Sequence, residues 1–313
     1  MNFRTEINIP KNKNLIDYNS KIVLLGSCFS DSIGKKFHYF KFNTTINPFG
    51  VIFNPVSLEK LILRCLNNQK FSKQDFILYN EKWQSLDLHS QLAQTDLDSA
   101  ILIANQQLRQ TKKQLLEASH IYITLGTSWV YRYLKKDEIV ANCHKIPQTK
   151  FKKELLSVTT VKNSLQTIIK NIKKSNEYAV ITLTVSPVRH VKDGFTENNL
   201  SKSHLISAVH SVTNNKDILY FPSYEIVMDD LRDYRFYKSD MLHPNQIAID
   251  YIWRKLQNSS IKESVYTTMK KVASIQKRLQ HKPFNPNTKK HQDFLKKLEQ
   301  DKLELKKTTN IFF

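Results

Sequence analysis

An apolar strand that stops at a glycine and turns straight into a helix constrains this chain more than any other feature. Lys21-Ile22-Val23-Leu24-Leu25 runs into Gly26-Ser27-Cys28-Phe29-Ser30. Strand, tight glycine turn, nucleophile and helix, in that order, is how α/β hydrolytic folds lift a reactive side chain above the sheet. Much further along, Asp240-Met241-Leu242-His243 runs into Pro244. An imidazole base and an orienting carboxylate on one short loop complete such a site, because a weak nucleophile needs a base and the base needs a fixed tautomer.

The rest of the pattern agrees with a parallel sheet. Apolar, β-branched runs predict strands at 21–26, 44–47, 121–126, 179–186 and 218–222. Helical spacing predicts helices over 55–66, opened by Asn54 and Pro55, and over 96–118, 159–174 and 199–214. Strands alternating with helices imply a three-layer α/β/α fold around a five-stranded parallel sheet. Ligands of such sheets bind beyond the carboxyl ends of the strands, where strand order reverses. Pro244 is expected in the first turn of a further helix carrying Ile247, Ala248, Tyr251, Ile252 and Leu256. Past about residue 260 the character changes to two Lys-rich helices, 261–280 and 288–307, broken at 281–287. Leu295, Leu298, Leu303 and Leu305 give the last one a thin apolar stripe, suited to packing on the domain, pairing with a second copy or staying mobile. The expected division is therefore 1–258 for the catalytic domain and 259–313 for a helical extension.

At 313 residues the chain can bury one substantial core with a small appendage. No apolar run approaches the roughly 20 residues of a bilayer span, and the N-terminus has no apolar signal core. Cys28, Cys65 and Cys143 are an odd number, unsuited to a disulfide framework. These features predict a soluble cytoplasmic protein. The formal charge of +20 invites nucleic acid as a partner. The excess is nearly all Lys, spread along the chain, whereas Arg is the residue that forks onto phosphates; without a recognised binding motif, nucleic acid is the weaker expectation.

At the first residue of a helix, Cys28 is expected to have its thiolate stabilised by the dipole and by free N–H groups; the plain alternative is a small buried cysteine. Ser27 and Ser30 compete as nucleophiles, with N-capping as their ordinary role. Gly50, after the second strand, and Thr127 or Ser128, after the third, stand where an oxyanion needs donors, and Cys28 can add its own N–H. In Asn142-Cys143-His144-Lys145 an extended backbone would point Cys143 and His144 to opposite faces. With His89 they form no complete metal-ligand pattern, which leaves pocket lining as their candidate role. Arg189, ending the fourth strand's segment Thr184-Val185-Ser186-Pro187-Val188-Arg189, is placed to hold an anionic or carbohydrate group. No metal and no cofactor are expected.

Gly26-Ser27-Cys28-Phe29-Ser30 resembles the signature of the GSCFA-domain family, in which Ala commonly takes the fifth position. Residues 141–147, 185–188, 223–226 and 229–237, running on into Asp240-Met241-Leu242-His243-Pro244, resemble it too, so the likeness spans roughly 20–257. That family is placed with the SGNH (GDSL-type) hydrolases. The resemblance implies a flavodoxin-like α/β/α fold and acyl-ester chemistry without a metal. Asp240 and His243 match the Asp-x-x-His block, Gly50 the glycine block and Ser128 the Gly-x-Asn block, where serine replaces asparagine. Cys28 takes the nucleophile position and Ser27 the aspartate position of the first block. A Cys-His-Asp set suits acyl transfer as well as hydrolysis, since a thioester is a good acyl carrier. The expected substrate is an acylated carbohydrate or similar small ester, with acyl-coenzyme A as a candidate donor. The rival expectations are a catalytically silent carbohydrate-binding module and a basic nucleic-acid-binding protein.

Overall fold

The computed structural model describes residues 4–309 and 311–313. Among the described residues ten strands and nine α-helices follow one another, beginning with β1 (Lys21–Gly26), α1 (Cys28–Tyr39), β2 (Asn43–Ile46), α2 (Pro55–Leu66), β3 (Ile77–Tyr79), β4 (Lys82–Gln84), α3 (Leu97–Glu117) and β5 (His120–Leu125). Then come β6 (Trp129–Tyr133), β7 (Glu138–Val140), β8 (Phe151–Leu155), α4 (Val158–Ser175), β9 (Val180–Val185), α5 (Phe195–His210), β10 (Ile218–Tyr220), the single turn α6 (Ser223–Glu225), α7 (Gln246–Ser260), α8 (Tyr266–Leu279) and α9 (Lys289–Thr309).

Five strands build one all-parallel sheet in the order β10-β9-β5-β1-β2. Counted along the chain this is the flavodoxin-like order 2-1-3-4-5, and strand order reverses between β1 and β5. Every residue of β5 and β9 is buried, as expected for strands covered on both faces. Alternation splits the core in two. Val23, Leu25, Ile121, Ile123 and Leu125 face the side of α2, α3, α4 and α5. Ile22, Leu24 and Tyr122 face α1 and α7, against Phe37, Ile252 and Trp253.

Where expectation and structure differ, local chemistry explains it. The five predicted strands all form, but five others were not foreseen: the antiparallel pair β3–β4 and the antiparallel sheet β7-β6-β8 after β5. α5 begins a turn earlier than the predicted 199–214, directly after Gly194 at φ +113°. Pro244 lies before α7 rather than in its first turn; Asn245 is the cap, accepting the Ala248 N–H at 3.1 Å. The 142–145 segment is not extended: His144 and Lys145 both have positive φ, 50° and 61°.

The Lys-rich tail packs on the domain. α7 runs through residue 258 to Ser260, and Ile261 pairs with Ile16. Tyr39 donates to the Ala273 carbonyl at 3.4 Å, and Gln276 donates to the Tyr39 carbonyl at 3.1 Å. Val272 and Ile275 of α8 bury Leu298, Leu305 and Ile311 in a small core of their own. Leu295 and Leu303 point outward, while Arg278–Asp301 at 2.6 Å joins the two helices. No described helix is long and apolar enough to cross a membrane.

Candidate active site

The turn after β1 is shaped by close approach. Gly26 has φ +125°, and a Cβ there would lie 2.0 Å from the Thr124 carbonyl oxygen of β5. Only glycine fits this backbone. The buried Asn47 clamps the turn from the β2 end: its Oδ1 accepts the Gly26 N–H at 2.8 Å, and its Nδ2 donates to Asp31 at 2.6 Å. Ser27 is fully buried, and its hydroxyl accepts the Phe29 N–H at 3.3 Å as the N-cap of α1. Ser30 is also buried, donating to the Leu25 carbonyl at 3.1 Å. Cys28, the first residue of α1, is only partly buried.

Its electrostatics differ from the simple helix-terminus expectation. Burial, reinforced by Asp31, pushes the Cys28 thiol above its ordinary value. Lys202, the residue's own N–H and Lys238 pull the other way without overcoming it. Desolvation outweighs the dipole here.

The second half of the site is a tight loop. Asp240 Oδ1 accepts the Leu242 and His243 N–H groups at 2.8 and 3.0 Å, while its Oδ2 stands 2.7 Å from His243 Nδ1. These contacts, the two backbone N–H groups first, hold the carboxyl down at about 2. Nδ1 is thereby committed to Asp240 and the ring's other nitrogen is left for chemistry. Arg189 ties this loop to the carboxyl end of β9: its N–H donates to the Leu242 carbonyl at 3.2 Å and its Nη1 to the Met241 carbonyl at 3.3 Å. The guanidinium lies over the rings of Phe195, Tyr234 and Tyr237. Its Nη1 thus serves the loop. On the other flank, Lys238 and Pro244 share a cleft with Ser32, Lys36 and Tyr39 of α1.

Two residues between these halves escaped the sequence reading. Lys202 of α5 is fully buried, and its Nζ donates to the Gly126 and Ser186 carbonyls, both at 2.7 Å, bridging the ends of β5 and β9. Burial pushes its ammonium down to about 7, with the charge of Cys28 opposing. His190 sets its ring edge-on to Phe53, centroids 5.4 Å apart, and its buried Nε2 has no hydrogen-bond partner among the described residues. Burial, then Lys202 and His243, push its imidazole down to about 3. Cys28, Lys202, His190 and His243 therefore form a run of electrostatic neighbours across the carboxyl edge of the sheet. The available signal was the inward spacing of Asn198, Ser201, Lys202 and Leu205, a polar patch on the buried face of a helix.

The expected oxyanion donors are largely occupied. Gly50, at φ +76° and packed on His89, gives its N–H to the Asn47 carbonyl at 2.7 Å. Ser128 is buried, and its hydroxyl donates to the Ser201 carbonyl at 3.1 Å. Thr127 pairs with the Ser201 hydroxyl at 2.9 Å. Among the described residues the Cys28 N–H has no partner beyond the residue's own thiol. His89 packs on Gly50, His144 lies against Ser90, and Cys143 packs on the cluster of Leu86, Val140, Ile146 and Phe151 instead. The His89 N–H donates to the Phe49 carbonyl at 3.0 Å, and His144 bonds Ser90 at 2.9 Å and the Ser85 carbonyl at 2.6 Å. Burial raises the Cys143 thiol to about 11. A cavity of about 490 Å³ between α2 and β7 includes none of the site residues, and its charges pair among themselves, as Lys60 does with Asp87 and Glu138, both at 2.9 Å. Among the described residues no group of His, Cys, Asp or Glu is arranged to hold a metal ion.

Residues 21–256 match the model of the GSCFA family, and residues 272–313 match that of the GSCFA domain protein, C-terminal domain. The chain belongs to the GSCFA family. The first match runs from the opening of β1 into α7, and the second covers most of α8 and all of α9. No curated protein matches this GSCFA chain. It is similar to a solved carbohydrate esterase family 3 protein from Talaromyces cellulolyticus, at 7% identity and TM-score 0.36 over 80% of this chain and 98% of that one. It is likewise similar to an acetyl esterase mutant solved with acetate ion, at 8% identity and TM-score 0.37 over 81% and 99%.

Proposed function

We propose that this GSCFA protein is an acyl-ester hydrolase or acyltransferase working through a covalent thioester on Cys28. The observation that carries this reading is the 2.7 Å contact of Asp240 with His243 Nδ1, on a loop fastened to the same sheet edge from which Cys28 projects. His243 takes the thiol proton, and the sulfur attacks the ester carbonyl. The carbon–oxygen bond then breaks, and the leaving alkoxide takes the proton back from His243. Water or a second hydroxyl, deprotonated by His243, releases the acyl group. The N–H of Cys28 stabilises the oxyanion. The substrate class this reading points to is a small polar ester such as an acylated sugar, with acyl-coenzyme A as a candidate donor.

Turnover of aryl acetates and acetylated sugars by the wild type, Cys28→Ala and Ser27→Ala tests this. The reading expects Cys28→Ala to lose turnover while keeping its fold, and Ser27→Ala to act mainly on stability. Full activity in Cys28→Ala with loss in Ser27→Ala would move the nucleophile to the serine. Ligand protection of the cleft without turnover would favour the binding-module reading.

A further inference from the structure

Ser32, Lys35 and Tyr39 follow Cys28 along α1 at spacings of four, three and four residues, so they share its stripe of the helix. The opposite face, with Phe29, Ile33 and Phe37, is buried in the core. That stripe, with Lys36, lines a cleft of about 280 Å³, and Lys238, Pro244 and the first turn of α7 supply the rest of its lining. Both sides of the cleft continue the two halves of the site. The Ser32 hydroxyl donates to the Cys28 carbonyl at 3.5 Å. The Lys238 N–H donates to the His243 carbonyl at 2.8 Å, and Pro244 follows His243 in the chain. At about 1.5 Å of rise per residue, Ser32 lies about 6 Å along α1 from Cys28, and Lys35 about 10 Å. Pockets for whole small molecules occupy roughly 300–1,000 Å³. This smaller cleft suits one group of a ligand whose reacting end is at Cys28.

The lining carries three lysines and no carboxylate. Lys36 is neutralised by Asp250. Lys35 and Lys238 are exposed, and among the described residues neither ammonium has an ion-pair or hydrogen-bond partner. Asp31 and Asp240, the acids beside the two halves of the site, accept from Asn47 and from the His243 loop. The Ser32 and Tyr39 hydroxyls already donate to the Cys28 and Ala273 carbonyls. Two ammoniums are therefore the donors left to a ligand. They match the charge of about −1.5 to −2 that a phosphate monoester carries near pH 7, and lysine binds phosphate as a point charge. We propose that this cleft is a phosphate subsite, in which Lys35 and Lys238 hold a phosphate monoester carried by the acyl substrate, on the order of 10 Å from Cys28. The phosphate takes no part in bond breaking. It draws the ester to the sheet edge and orients its carbonyl toward the sulfur. The role in turnover rests on the acyl-ester reading, but phosphate binding itself does not.

The test is calorimetric titration of glucose 6-phosphate, coenzyme A and, as the neutral reference, glucose into the wild type and Lys35→Gln/Lys238→Gln. Both lysines are exposed, so the double variant keeps the fold. The wild type should bind a phosphate probe about tenfold more tightly than glucose, and the variant should lose that preference. Added salt should shrink it. Lysine-dependent binding confined to glucose 6-phosphate supports the subsite with the phosphate on the sugar. Binding confined to coenzyme A, which also carries a phosphate monoester, supports it with the phosphate on the acyl donor. No preference in the wild type, or an unchanged one in the variant, would overturn the proposal. Because the chain carries a formal charge of +20, Lys296→Gln/Lys297→Gln removes the same charge from α9. An equal loss there would also overturn the proposal, since net charge and not the cleft would then attract the phosphate. Lysine-dependent binding with no acyl adduct from any donor would sink the ester reading and leave the subsite standing. An adduct that turns over without such binding would do the reverse.

Discussion

His243 Nδ1 stands 2.7 Å from Asp240 Oδ2, and the carboxylate's other oxygen accepts the Leu242 and His243 N–H groups. One side chain thus fixes both the shape of the loop and the tautomer of the ring. Asp240→Asn keeps the size but cannot offer two carboxylate oxygens. We expect kcat/KM for an aryl acetate to fall about a hundredfold, with substrate binding little changed.

The same contacts set a pH response. Asp240 is held at about 2, below the ordinary 3.8. A depressed carboxyl contributes stability that is present above its unfolded value and lost as pH falls through its folded one. The loop should therefore stay intact from neutral pH down to about 4 and open as pH drops through about 2. The carboxyl carbon signal of Asp240 should titrate near 2; a midpoint near 4 would contradict the geometry.

Arg189 was expected at the substrate; its Nη1 donates to the Met241 carbonyl and its guanidinium lies over three aromatic rings. Arg189→Lys keeps the charge but loses the planar stacking and the directed donor. The expected result is a fall in kcat of about tenfold with KM nearly unchanged. A rise in KM alone would place the guanidinium on substrate.

Asn47 connects the β2 loop to the turn that presents Cys28. Asn47→Ala leaves the Gly26 N–H unpaired in a buried site and should cost about 1–3 kcal/mol in denaturant unfolding. Asn47→Asp keeps the acceptor but sets a carboxylate against Asp31, so it should destabilise as well and should improve at low pH. Gly26→Ala should cost about 3 kcal/mol or more, because its Cβ meets backbone that cannot retreat.

In the tail, Ile275 is buried and Leu303 is exposed. Ile275→Ala should lower stability by about 2–4 kcal/mol and Leu303→Ala by less than about 0.5 kcal/mol. Equal small effects would mean that α8 and α9 do not dock in solution.

The five core strands were readable because a doubly covered parallel strand is a near-continuous run of apolar and β-branched residues, as Ile121–Leu125 and Ala179–Val185 are. β6, β7 and β8 were not, since Trp129–Tyr133 and Phe151–Leu155 mix aromatic, charged and apolar residues on a half-exposed sheet. The Gly26 turn and the Asp240–His243 loop were visible because both are local in sequence. Lys202 and His190 were hidden for the opposite reason. A lysine among Asn, Ser and His residues reads as a solvated helix face, and only the fold turns that face onto the strand ends. Gly50 and Ser128 were placed near the right edge, but tertiary partners (the Asn47 carbonyl and Ser201) occupy the donors they offered.

Intact and peptide-level mass spectrometry after incubation with p-nitrophenyl acetate, acetylated sugars and acetyl-coenzyme A bears most directly on the Cys28–His243–Asp240 assignment. The account predicts a single acetyl adduct on Cys28 that turns over in the wild type and builds up in His243→Ala. An adduct on Ser27 or elsewhere, or none from any donor, would contradict it.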